Sequence, residues 1–244
     1  MNYRFNKEAH LHQIEKDGEW QNLTGVTTVL SVIAKPALIQ WAANQTAEYF
    51  RSHFSEFNLK DAIQLGELLQ LAKTAHTKRK TEAGDYGKLT HELIEIVIKN
   101  AIEKNDGYVN QSSSENVSVK NFITWALENK VKFLESEKNL YSETLWLGGI
   151  LDALCEIDGK VWLMDIKTAK SGLYAENMWQ MGGYELMLKE CTEYKKIKGY
   201  ILLNLKQSGE FIEKRSISNK EHIKAFLACL EIYRQKEKTS NQIL

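Results

Sequence analysis

Apolar positions change their spacing once along this chain, close to residue 140. Before that point they recur at three and four residues, the period of one helix face, and after it they alternate, the period of a strand. The opening stretch, with Tyr3, Phe5, His10 and His12 ahead of Asp17-Gly18, predicts a short strand or hairpin entry. VTTVLSVIAK, which follows Gly25, suggests a short helix that stops before Pro36, although its β-branched residues also allow a strand. Pro36 suits the first turn of a new helix carrying Ala37, Leu38, Trp41, Ala42 and Tyr49. Residues 61–81 predict a helix, Gly84-Asp85-Tyr86-Gly87 a turn, and HELIEIVIKNAIEK from His91 another helix. The polar stretch KNDGYVNQSSSEN, residues 104–116, predicts a mobile loop, followed by an amphipathic helix bearing Phe122, Trp125, Val131 and Phe133.

Beyond residue 140, YSETLWLG, GILDALCEI and KVWLMDIKT predict three strands. YAENMWQMGGYELMLKE predicts a helix, KIKGYILLNL a fourth strand, and EHIKAFLACLEIYRQKEK a closing helix. Helices followed by a β-β-β-α-β-α run imply an α/β fold with a mixed sheet. At 244 residues and 43% hydrophobic content the chain can bury a full core, which predicts one domain over residues 1–244. Within it, residues 1–90 would form a hairpin and helices covering the site, and residues 91–244 the core.

Composition narrows the functional classes. No apolar run approaches the roughly 20 residues of a membrane span, and MNYRFNKEAH has neither a secretory nor a transit composition. The chain therefore reads as soluble and cytoplasmic, with no membrane partner. Cys155, Cys191 and Cys229 are isolated, which predicts buried thiols and no iron–sulfur cluster, since three scattered cysteines cannot supply four ligands. Net charge is zero, so any nucleic-acid site must be a local basic patch. Neither a phosphate-binding glycine loop nor a nucleophile elbow appears.

The chemistry gathers around one hairpin. Asp158-Gly159, flanked by alternating apolar residues, signals a two-residue type I′ turn that pairs Ile157 with Lys160. Extending that register brings Asp152 opposite Asp165, in the class of pair where side chains approach most closely. Two such charges at roughly 5 Å repel by about 3 kcal/mol at an effective dielectric near 20, and a divalent cation between them reverses the sign. The strand period puts Lys167 on the face of Asp165, leaving Ile166 to the core. Carboxylate and carbonyl oxygens suit Mg²⁺ or Mn²⁺ far better than zinc.

These elements resemble the RecB-like branch of the PD-(D/E)XK nucleases. The pattern of that family reads here as GKLTH at residues 87–91, GILD at 149–152, DIKT at 165–168, and Gln180 with Tyr184. SETLWLGGILDALCEIDGKVWLMDIKTAK, together with the early VTTVL and Leu38-Ile39-Gln40-Trp41, is similar to the mitochondrial genome-maintenance exonucleases and small phage exonucleases of that branch. The resemblance implies an α-β-β-β-α-β restriction-endonuclease-like core behind an N-terminal helical region. It implies a Mg²⁺- or Mn²⁺-dependent single-strand deoxyribonuclease acting on DNA that is single-stranded or has a free end. A duplex-resecting exonuclease, an endonuclease or a non-catalytic nucleic-acid-binding protein are the alternatives, and the leaderless N-terminus suggests a bacterial or phage-infected cell. Asp152, Asp165, His91 and the Ile166 carbonyl would hold the metal. Lys167 would position or deprotonate the attacking water, and Gln180 and Tyr184, one helical turn apart, would orient Lys167 or the scissile phosphate.

Several further residues stand near this set. Glu95, one turn after His91, would orient it, and Glu143 either reaches the metal or solvates a strand edge. No acidic residue falls between Leu68 and Thr81, where Lys73, Lys78, Arg79 and Lys80 predict a surface that tracks phosphates. Trp41, Tyr86 and Tyr174 are candidates for stacking on bases, although such aromatics more commonly fill a core.

Overall fold

The computed structural model describes residues 2–240 and Gln242. Three short strands, β1 (Tyr3–Asn6), β2 (Leu11–Lys16) and β3 (Glu19–Asn22), pair antiparallel in that order. Asp17 and Gly18 join the last two with φ of 54° and 81°, the left-handed backbone that a tight hairpin turn requires. β4 (Thr24–Gly25) runs into α1 (Val26–Val29) and a 3-10 turn over Leu30–Val32, so VTTVL is helical. α2 (Pro36–His53) starts with its proline in the first turn, where a missing N–H costs nothing.

α3 (Ala62–Lys104) then runs unbroken for 43 residues. The predicted turn at residues 84–87 is therefore corrected. Two glycines cost a helix only about 2 kcal/mol together, and with no proline among these residues the strong helix formers on either side carry the chain through.

α4 (Val117–Glu128) follows the loop, its N-terminus capped by Asn116 Oδ1, which accepts from Ser118 N at 3.0 Å and Val119 N at 3.2 Å. The helix ends earlier than its apolar period suggests, because Phe133 already lies on β5 (Lys132–Ser142). β6 (Leu147–Ile157) and β7 (Lys160–Lys167) complete a meander, α5 (Ala175–Cys191) crosses over, and β8 (Gly199–Leu205) returns parallel to β7. A strand not predicted from sequence, β9 (Phe211–Ser216), pairs antiparallel with β8 before α6 (Asn219–Ser240). The chain is thus mixed α/β, with a mixed six-stranded sheet ordered β4-β6-β7-β8-β9 and β5 on the other edge of β6.

The chain divides into two compact units, Ala34–Lys88 and the remainder. Within the larger unit the sheet is covered on both faces. Ile94 and Ile98 of α3 and Phe122 of α4 pack on Ala153, Cys155, Met164, Ile166 and Ile201. On the other face, Val29 of α1, Met181 and Tyr184 of α5 and Phe226 of α6 pack on Leu151, Leu154, Leu163 and Leu202. In the smaller unit, α2 and the start of α3 are tied by an Arg79–Glu48 ion pair at 3.5 Å. No single helix among the described residues is long and apolar enough to cross a membrane.

Candidate metal centre

Asp158 and Gly159 have φ of 51° and 67°, as a type I′ turn requires, and Ile157 pairs with Lys160. The ladder keeps that register to Ala153 opposite Met164 and then stops. From there β7 continues beside β8, with Asp165 opposite Leu202 and Lys167 opposite Asn204. The next ladder bond would join Ile166 N to the carbonyl of Leu151. Instead the Asp152 carboxylate accepts from Ile166 N at 2.6 Å. Asp152 thus sits in the fork where β6 and β7 separate, a stronger position than the simple facing pair predicted.

Strict alternation fails at this rank, which corrects the expectation that Asp152 and Asp165 share one face. Leu151 and Leu154 pack on the same side of the sheet, whereas Ala153 and Cys155 pack on the other. β6 therefore turns over by one residue at Asp152. β5 does the same directly opposite. Ser136 pairs with Ala153 and Lys138 with Leu151, which leaves Glu137 level with Asp152. Glu137 has φ of 46°, and Lys138 Nζ donates to Glu135 Oε1 at 2.8 Å, a same-side contact three residues apart that a regular strand forbids. Strain of this kind, about 1–3 kcal/mol for a non-glycine residue, collects at functional sites.

Glu137 was not legible in the sequence as a site residue. His91, on the α3 turn above the fork, places Nδ1 3.7 Å from Asp152 Oδ2. One ligand atom each from His91, Glu137 and Asp152 lie within 4.8 Å of one another, a group able to hold a cation.

On the α5 side, Asp165 is 2% exposed and its Oδ2 meets Lys167 Nζ at 2.6 Å, as an ion pair without an aligned hydrogen bond. Lys167 Nζ also approaches Gln180 Oε1 at 3.5 Å, and Gln180 Nε2 donates to Tyr184 OH at 2.7 Å. Gly149 makes room for this chain, since a Cβ there would come within 2.7 Å of the Tyr184 ring. Asp165, Lys167, Gln180 and Tyr184 therefore stand together as the sequence suggested.

The charges crowd one another. Burial and the charge of Asp165 push Asp152 up to about 6, against the pull of His91, Lys167 and the Ile166 N–H. Burial, Asp152 and Glu95 push Glu137 up to about 7. Burial works against the Lys167 ammonium, but Asp165 and Asp152 outweigh it and hold its pKa above the ordinary lysine value. Burial also raises Tyr184, which keeps its phenol protonated.

The remaining candidates fall elsewhere. Glu95 pairs with Lys99 at 2.5 Å. Glu143 lies in the turn between β5 and β6, exposed, and its N–H donates to Glu190 Oε1 at 2.8 Å. It stands six residues beyond Glu137, just past the end of β5 and about 20 Å away at strand rise, which leaves the second of its two expected places, the solvated edge. The first predicted strand began too late, and that displaced Glu143 onto the wrong element. Lys73, Lys78, Arg79 and Lys80 are exposed on α3 within the smaller unit. Trp41 meets the edge of His76, Tyr86 is half-buried, and Tyr174 is exposed just before α5. Cys155 and Cys229 are buried thiols, while Cys191 is half-buried.

No family model matches the chain, and no curated protein matches it. Among solved structures it is similar to the crystal structure of SSO0001 at 12% identity, over 57% of this chain and 86% of that one. The TM-score of that superposition is 0.26, too low to carry an argument about fold or activity.

Proposed function

We propose that the chain is a metal-dependent DNA nuclease of the PD-(D/E)XK kind, acting as a single-strand exonuclease. The observation that carries this reading is the carboxylate of Asp152 in the β6–β7 fork, bound to Ile166 N, with His91 on one side and the Asp165–Lys167 pair on the other. The donor set fits a hard divalent cation. It offers carboxylate oxygens and one imidazole, with ligand atoms of His91, Glu137 and Asp152 within 4.8 Å of one another. His91, Asp152, Asp165 and the Ile166 carbonyl are the groups that would hold Mg²⁺ or Mn²⁺. Bound there, the ion would polarise the phosphate and stabilise its developing charge.

The side chains of the protein do the rest. Asp165 fixes the Lys167 ammonium at 2.6 Å and keeps it charged, so Lys167 directs the attacking water and the phosphate as a cation and not as a base. Gln180, held by the Tyr184 hydroxyl, limits where that ammonium can swing.

The test is degradation of end-labelled DNA in Mg²⁺ and in Mn²⁺. Asp165→Ala and Lys167→Ala should each lower the rate by about a hundredfold or more. Undiminished activity in both variants removes the site from the reaction. Linear single strands should disappear while closed single-stranded circles persist. Equal loss of circles would make the enzyme an endonuclease.

A further inference from the structure

We propose that Lys170 binds the phosphate next to the one met by Lys167, and that Asn204 is the positioning residue that aims it. The inference rests on the nuclease reading of the same site. It starts from β8, which is buried along its whole length and in which Asn204 stands among Ile201, Leu202, Leu203 and Leu205. Asn204 is 0% exposed, yet its amide is only partly satisfied. Nδ2 donates to the Ala169 carbonyl at 2.9 Å, while Oδ1 is buried with no donor. An amide oxygen left unpaired costs stability that a leucine in the same space would not. A strand residue that breaks the rules of packing in this way points to a role in function.

What Asn204 holds lies beside the site. β8 runs parallel to β7 with Asn204 opposite Lys167. Leu203 and Leu205 pack with Met164 and Ile166 on one face of the sheet, which puts Asn204 on the other, the face of α5, with Asp165 and Lys167. Beyond Lys167 the chain leaves β7 and turns. The Ala169 carbonyl also accepts from Gly172 N at 3.4 Å, and Gly172 closes the turn with φ of 97°, backbone that glycine adopts freely. Ala169 is thus tied both to its own turn and to the core of the sheet, and Lys170 and Ser171 form the exposed tip. No acidic residue falls between Asp165 and Glu176, and among the described residues Lys170 has neither an ion pair nor a hydrogen bond. Lys167, by contrast, is engaged with Asp165. Three residues span at most about 10 Å of extended chain, and less across a turn, so the two ammonium groups can meet neighbouring phosphates of one strand. Anchoring the turn in advance lowers the ordering cost when Lys170 takes its anion.

Affinity for a phosphorothioate-linked single-strand oligonucleotide, measured in Mg²⁺ at several salt concentrations, tests the proposal without reference to turnover. Lys170→Ala should weaken binding by about three- to tenfold and lower the salt slope by about 0.7, the share of one phosphate contact, while Lys170→Arg should keep both. Asn204→Leu removes the unpaired oxygen, so it should keep the melting temperature of the wild type and still weaken binding by a similar factor. In Asn204→Leu/Lys170→Ala the two losses should not multiply, because Asn204 acts through Lys170. Asn204→Ala serves if the leucine variant does not fold. Unchanged binding in Lys170→Ala or in a folded Asn204 variant overturns the proposal, as do losses that multiply in the double variant or a wild type that does not bind the strand. Coupled losses in a protein that leaves natural DNA intact would uphold it and remove the nuclease reading. A protein that degrades DNA and whose Lys170→Ala variant binds as the wild type does would do the reverse.

Discussion

Glu137 and Asp152 are poorly solvated acids that face each other and lie within reach of a third, so the metal-free protein should be least content when all are ionised. Both have folded pKa values above their ordinary ones, about 7 against 4.5 and about 6 against 3.8. A carboxyl raised in this way contributes stability that is complete below its unfolded pKa and is lost as pH rises through the folded value. In chelator, the melting temperature should therefore fall between about pH 4 and pH 7. Asp152→Asn should flatten that fall, and Mn²⁺ at pH 8 should restore the lost stability. Melting curves of both proteins across that range check the sign, and an Asp152→Asn profile that falls as steeply as that of the wild type would contradict the crowding of these acids. His12 behaves differently. Burial lowers it to about 4 from 6.5, so between those values the unfolded chain holds a proton that the folded one does not, and His12 adds a rising slope that offsets part of the fall from the two acids.

Among the elements, α3 offers the sharpest test of a reading that sequence missed. Gly84 lies in helical backbone with nothing within 4 Å of where a Cβ would stand. Gly84→Ala should therefore stabilise the protein by about 0.5–1 kcal/mol, read as a higher melting temperature. A turn at residues 84–87 would give the opposite sign. The same contrast explains which parts of the fold were legible. Asp158-Gly159 could be read because two adjacent residues suffice to define a type I′ turn, and with it came the register of β6 against β7 as far as Ala153 opposite Met164. Gln180 and Tyr184 could be read because α5 is a regular helix. β5 could not, because its register shifts between Phe133 and Glu135 and its side chains switch faces at Glu137, so residues 132–142 never show a clean period of two. The strand was placed nine residues late, and Glu137 went unseen while Glu143 was credited in its place. The signal that would have helped is geometric: a residue level with Asp152 on the neighbouring strand, visible only once the two strands are paired.

At the scale of the whole molecule, the chemistry and the predicted phosphate-tracking surface belong to different compact units. Every residue of the fork belongs to the larger unit, and Lys73, Lys78, Arg79 and Lys80 belong to the smaller one. Arg79 is already engaged with Glu48, so the three lysines carry the free charge expected to meet phosphates. If they do, replacing all three with alanine should reduce the salt dependence of single-strand DNA binding by about 2 logarithmic units, at roughly 0.7 for each lost contact. Binding measured at several salt concentrations decides this. An unchanged slope would return the run to an ordinary solvated helix face.

The two-residue turn at Asp158-Gly159 also governs how this protein can change length. Each arm of the hairpin counts back from that turn to its carboxylate, so one inserted residue would shift one arm by about 3.3 Å and invert its side chains. The connection over residues 105–116 carries no such count. Drift in chain length is therefore free to accumulate there, while the hairpin acts as a ruler whose marks cannot move.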